Sequence, residues 1–242
     1  MRDVSKGGPA SGGGRWLEVA PERIALWLAG FGERHGGVVG VDRGAEIVRF
    51  TAADGATAEC QVPFPPLAPS SADVANDRDD AVRALAEHAC HSRLVGVVLV
   101  RLGGYAAGVF DGERLIASKV GSRLVHGRSA AGGWSQHRFA RRRDKQAREA
   151  LEDAANVAVR VLEPHLARLD AVVLGGDRRA LDELRTDPRL KPVFALASGP
   201  VLTVPDPRLV VLRDTPKSFR SVRIRLDEPL TAIPPQGSSA GE

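Results

Sequence analysis

The firmest constraint on the fold is a long stretch without proline. From Arg138 to Glu163 nothing interrupts a helix, and the next residue is Pro164. A helix of that span reaches roughly 40 Å at 1.5 Å per residue. Its two halves differ in chemistry. Ala147, Leu151, Ala154, Ala155, Ala158, Val159 and Leu162 recur at helical spacing and form an apolar stripe. The first half offers only Phe139 and Ala140 for burial and is crowded with Arg138, Arg141, Arg142, Arg143 and Lys145. Such a helix packs on a core at one end and projects at the other.

The segment before this helix is its chemical opposite. Gly127 to Gln136 reads GRSAAGGWSQ, a loop rich in small residues. Gly132 and Gly133 permit backbone angles closed to other residues and a close approach of main chain to a ligand. Gln136 supplies an amide with donors and an acceptor but no useful pKa, so it suits orienting a water or holding an oxyanion rather than acting as a base. The helix that follows adds roughly half a positive charge at its N-terminus. His126 and His137 flank the loop as weaker acid–base candidates, with no carboxylate partner evident in the sequence.

Charge is local. The chain carries +4 overall, yet Lys119 to Arg148 holds nine cations and one acid, Asp144; this segment nets +8 and leaves −4 for the rest. Arg138, Arg141, Arg142 and Lys145 fall at i, i+3, i+4 and i+7, one helical face. A cationic face with so few counter-acids fits phosphate, and through it nucleic acid bound with strong salt dependence.

The remaining chain reads as mixed α/β, an α+β fold with an aliphatic core, since 43% of residues are hydrophobic but only 5% aromatic. Residues 1–14 are Gly- and Ser-rich and are expected to be a disordered arm. Residues 15–72 read as a small helix-plus-hairpin domain and linker, with a helix at Pro21–Arg34, strand pieces between Val38 and Val62, and a proline-rich boundary at 63–72. Residues 73–227 read as the second domain. It begins with a helix at Asp73–Arg93, and an antiparallel meander follows at Leu94–Leu102, Tyr105–Phe110 and Arg114–Val120. The loop and long helix come next, then a strand at Asp170–Gly175 and a helix at Arg178–Thr186. Short strands and loops occupy Val193–Val211, and Ser221–Leu226 is a strand buried on one face. Residues 228–242 are expected to be a disordered tail.

Several function classes are excluded or disfavoured. No run of about 18 apolar residues spans a membrane, and no leader for secretion is visible; a cytoplasmic protein is expected. Cys60 and Cys90 lack metal spacing and are expected to be reduced thiols. Neither a metal nor an organic cofactor is implied. Gly175-Gly176 between a strand and a helix invites a phosphate-site reading, but without G-x-G-x-x-G or a Walker lysine it reads as a turn that needs small residues.

The motifs resemble a known family. His126-Gly127-Arg128, Gly132-Gly133 and Arg138-Phe139-Ala140-Arg141 before a long helix, then Val172-Val173-Leu174-Gly175-Gly176 and the Leu184 to Pro188-Arg189-Leu190 segment, resemble the GGQ-loop domain of eukaryotic and archaeal class I release factors. The likeness covers roughly residues 75–215. The GGxSQ form is closer to the Vms-like branch of release-factor-like peptidyl-tRNA hydrolases, in an actinobacterial-type version. Trp134 stands where release factors carry their glutamine, and Gln136 lies two residues later. The resemblance implies hydrolysis of the peptide–tRNA ester on stalled ribosomes or large subunits, with Gly132, Gly133 and Gln136 at the reaction centre. Arg128, Trp134, Arg138, Arg141, Arg142, Arg143 and Lys145 would then be on RNA. Partners would be the ribosomal large subunit, its rRNA and peptidyl-tRNA, the protein acting as a monomer and, by its length, without codon-reading domains. Two alternatives stay open: a nuclease cutting the tRNA 3′ end, and a non-catalytic RNA- or ribosome-binding factor.

Overall fold

The computed structural model describes residues 4–9, 14–69, 77–101, 103–122 and 135–229, with backbone alone for 4–9 and 135–144. The chain divides into two compact units, one formed by Met1–Cys90 with Ser221–Glu242, the other by His91–Arg220.

In the first unit, strands β1 (Val4–Pro9), β2 (Arg15–Val19), β3 (Val38–Arg43), β4 (Ile47–Ala52), β5 (Thr57–Gln61) and β10 (Val222–Asp227) form one sheet in the order β1-β2-β10-β5-β4-β3. Its described pairs are antiparallel. Alternation drives the layering. In β10, Val222, Ile224 and Leu226 are buried while Arg223, Arg225 and Asp227 are half-buried on the other face. The buried face meets Ile24, Leu28 and Phe31 of α1 (Ile24–Arg34) and Ala81, Leu85 and Ala89 of α2 (Arg78–Cys90). On the opposite face opposite charges sit across strands, Arg225 beside Glu59 and Glu59 beside Arg49, with Arg49 Nη2 2.6 Å from Glu59.

Three expectations change here. The arm expected to be disordered contains β1, paired with β2 from Val4↔Val19 to Pro9↔Arg15. Edge pairing uses backbone groups, so a Gly/Ser-rich composition does not prevent it. The boundary expected at 72/73 also moves. The proline-rich segment packs down, with Leu67 buried and His88 Nε2 2.9 Å from the Pro63 carbonyl. Helix α2 is tied to the first sheet by the ion pair of Arg43 with Asp80 at 2.6 Å. Finally, the strand read at 221–226 belongs to the first unit rather than the second, seated between β2 and β5. Residues 230–242, most of the expected tail, lie outside the described residues.

The second unit is built on the meander β6 (Leu94–Arg101), β7 (Gly104–Asp111) and β8 (Arg114–Ser122), with β9 (Ala171–Gly176) parallel to β6, in the order β8-β7-β6-β9. Strand β6 is apolar along nearly its whole length because it is central and covered on both faces. On one face Val98, Val100, Ala107 and Val109 pack with Ala154, Ala155, Ala158 and Leu162 of α3 (Ser135–Leu162). Alanines here let a helix lie close to the sheet. Ala150 and Val161 are buried too, whereas Ala147, Leu151 and Val159, expected in the stripe, are only half-buried. Across the other face lies α6 (Leu209–Phe219), whose Phe219 meets Phe110 edge-on at 5.8 Å. This helix was not expected: its register of Leu212, Thr215, Pro216 and Phe219 puts all the buried residues on one side. Nearby, α4 (Arg178–Leu184) is the helix expected at 178–186, while α5 (Lys191–Ala195) runs into the start of the strands and loops expected from Val193; isolated bridges at Ala197 and Leu202 to β9 are the strand-like remainder.

Candidate functional site

The sheet of the second unit delivers the chain to the candidate site and takes it back. Strand β8, at the sheet edge, ends at Ser122, and α3 begins at Ser135. The return is anchored at the far end of α3. A Cβ on Gly96 would lie 3.1 Å from the Leu162 side chain, so the glycine on β6 leaves room for the helix end to pack close. Asp170 then fixes the start of β9 against β6, its carboxylate accepting from the Leu94 amide at 2.7 Å.

Arg128, Gly132, Gly133 and Trp134, with His126, lie outside the described residues. Helix α3 starts three residues earlier than the periodicity placed it, so Gln136 is its second residue. The amide is therefore borne by the first helical turn instead of the free loop, where backbone N–H groups lack intrahelical partners. The helical backbone also puts positions 138, 141, 142 and 145 in one i, i+3, i+4, i+7 row. Side chains at 135–144, Gln136, His137, Arg138, Arg141, Arg142 and Arg143 among them, lie outside the described residues.

Lys145 marks where the cationic half of α3 ends. It is 78% exposed and stands 3.9 Å from Glu149, one turn on. Glu152 and Asp153 follow. From Ser135 to Arg148 the helix carries six cations against Asp144, after which its sign reverses. Arg189, by contrast, is used internally. It grips Asp187 at 2.6 Å and reaches Asn156 of α3 at 2.8 Å. This contact holds the Asp187 carboxyl below its ordinary pKa, chiefly through the arginine hydrogen bond.

The Gly-Gly turn after β9 has a packing explanation. A Cβ on Gly175 would come 2.7 Å from Leu99, and one on Gly176, at φ +106°, would come 2.0 Å from the Val100 carbonyl oxygen. Gly176 is required by the backbone of the neighbouring strand, Gly175 packs tightly against the Leu99 side chain, and no ligand need be invoked. Among the described residues no group of three or more His, Cys, Asp or Glu could hold a metal, and no helix is long and apolar enough to cross a membrane. Cys60 is buried, which pushes its thiol pKa up, and Cys90 is exposed; neither is in a disulfide. The sequence did not reveal Tyr105, which lies across Gly121 at the root of the loop. Strand register is a long-range property, and no local pattern encodes it.

Residues 92–225 match the family described as Actinobacteria/chloroflexi VLRF1 release factor, more than half of the chain. The chain belongs to this release-factor family. The family match covers the β6–β9 sheet, the loop, α3 and α6, and runs on into β10 of the first unit. Solved structures similar to this VLRF1-family chain include the archaeal translation termination factor aRF1, at 18% identity over 67% of this chain and 46% of that one, with a TM-score of 0.35. The Vms1 mitochondrial localization core is similar at 12% identity, covering 76% of each chain, with a TM-score of 0.36. Dom34 of S. cerevisiae, described as a translation termination-like factor in RNA quality control, is similar at 8% identity over 88% of this chain and 67% of that one, TM-score 0.27. The VLRF1-family chain thus spans less than half the length of the archaeal factor. No curated protein matches it.

Proposed function

We propose that the protein is a peptidyl-tRNA hydrolase that cleaves the ester between nascent peptide and tRNA on stalled ribosomes or free large subunits, in the cytoplasm. The observation that carries this reading is the junction of β8, a glycine-bearing loop and a helix whose first half is cationic, within a chain of a release-factor family. Gly132 and Gly133 let the main chain approach the ester. Gln136, held by the first turn of α3, orients the attacking water, and the helix N-terminus favours the oxyanion that develops on the carbonyl. The products are a peptide with a free carboxylate and a tRNA with an intact 3′ hydroxyl. Arg128 and the arginines at 138, 141, 142 and 143, with Lys145, hold rRNA or tRNA phosphates, and Trp134 stacks on a base.

Removing one water-orienting or oxyanion-type amide commonly costs about 10²–10³ in rate. Gln136→Ala should therefore lose most peptide release on peptidyl-tRNA-loaded large subunits while binding them nearly as well. Unchanged release by that variant refutes the role of Gln136. Ribosome binding without turnover by the wild-type protein supports the non-catalytic reading, for which Trp134 in the release-factor glutamine position is the specific argument.

A further inference from the structure

Two residues before the loop, the end of β8 is held by an unusual pair. In the β7–β8 register Tyr105 stands opposite Gly121, and Gly104 opposite Ser122. A Cβ on Gly121 would lie 2.4 Å from Tyr105 Cε2 and 2.5 Å from both Cζ and Oη, so the phenol end of the side chain, hydroxyl included, occupies the space above the glycine. Tyr105 is the only tyrosine in the protein, half-buried and packed against the core beneath α3. Strand β8 is an edge strand, paired with β7 alone among the described residues. A glycine near the end of an edge strand weakens it, and a cross-strand aromatic ring covering the glycine restores what the missing side chain loses.

We propose that Tyr105 is a positioning residue for the loop. Its ring over Gly121 clamps β8 in register to Ser122 and so fixes the point and direction from which the chain enters the segment bearing Gly132 and Gly133. The proposal rests on the hydrolase reading. In this role Tyr105 acts on no reacting atom itself. It acts through the loop root, and Gly121 is its partner because a side chain there would meet the phenol end of the ring and displace it.

The test is single-turnover peptide release on peptidyl-tRNA-loaded large subunits, measured with large-subunit affinity, melting temperature and amide exchange across β8. A misplacement on the scale of 1 Å can cost up to about 100-fold in rate. Gly121→Ala and Tyr105→Ala should each slow release about 10- to 100-fold, with affinity essentially unchanged and exchange accelerated at Gly121 and Ser122. Tyr105→Phe keeps the ring and should keep exchange protection at Gly121 and Ser122 close to wild type. Adding Gly121→Ala to Tyr105→Ala should cost nothing further, because the clash partner is gone. Wild-type rates in both alanine variants overturn the proposal. So does a loss of release that only follows a loss of binding and of melting temperature. If the wild-type protein itself releases no peptide, the hydrolase reading fails, and exchange alone then decides the clamp: unchanged protection at Gly121 and Ser122 in Tyr105→Ala overturns it.

Discussion

Replacing Arg138, Arg141 and Arg142 together by glutamine removes three charges from one row of α3 while keeping good helix formers in a helix anchored by its other half. Each phosphate neutralised contributes about 0.7–0.9 to the slope of log K against log salt. Three lost contacts should flatten that slope by about 2 to 3. Between 50 and 200 mM salt the wild-type protein should then lose about 20- to 40-fold more affinity than the triple variant. Lys145 shares its charge with Glu149 and should contribute less than the other three. The structure supplies the control. Arg189 is already spent on Asp187 and Asn156, so Arg189→Gln should leave the slope alone. Filter binding or fluorescence anisotropy with ribosomal subunits at a series of salt concentrations reads both. An unchanged slope in the triple variant, or an equal loss in Arg189→Gln, refutes the assignment of this row to phosphate.

Other consequences concern the frame around the loop. Leu162 is fully buried where α3 meets Gly96, and Leu162→Ala should cost about 2–5 kcal/mol in urea unfolding; a cost under about 1 kcal/mol contradicts that packing. Gly176→Ala meets the Val100 carbonyl and should lower the melting temperature far more than Gly199→Ala, which has a positive φ but open space and should cost about 1–2 kcal/mol. The Asp187 carboxyl is depressed in the folded protein, so its contribution is present above the unfolded pKa of about 3.9 and lost as pH falls through the lower folded value. Asp187→Asn should accordingly lower the melting temperature at neutral pH, with the difference from wild type shrinking as pH falls below about 4, so that the acid limb of the profile flattens.

What was legible in the sequence was what local pattern encodes. The proline-free run with its alanine-rich stripe announced α3, and Gly103-Gly104 and Asp111-Gly112 announced the β6–β7–β8 meander. Long-range choices were not legible. Val222, Ile224 and Leu226 alternate as a strand must, but nothing local says that Arg223 pairs with Gln61, far back in the chain. The prolines at 63–66 look like a linker until Leu67 and the Pro63 carbonyl are seen packed against α2. Helix α6 was hidden by Pro205, Pro207 and Pro216, although Leu212 and Phe219 keep helical spacing. At the candidate site the long helix that follows the glycine-bearing segment was readable. The placing of Gln136 within the first turn was not, because helix starts depend on capping and tertiary contacts that composition does not determine.

The most direct measurement is a turnover assay of the purified protein on ribosomal large subunits carrying a labelled peptidyl-tRNA, with the tRNA 3′ end mapped afterwards. Ester hydrolysis predicts free peptide and a tRNA whose CCA end is intact. A shortened 3′ end, with nucleotides still attached to the peptide, would contradict it in favour of a nuclease, and bound subunits with no peptide released would contradict catalysis altogether.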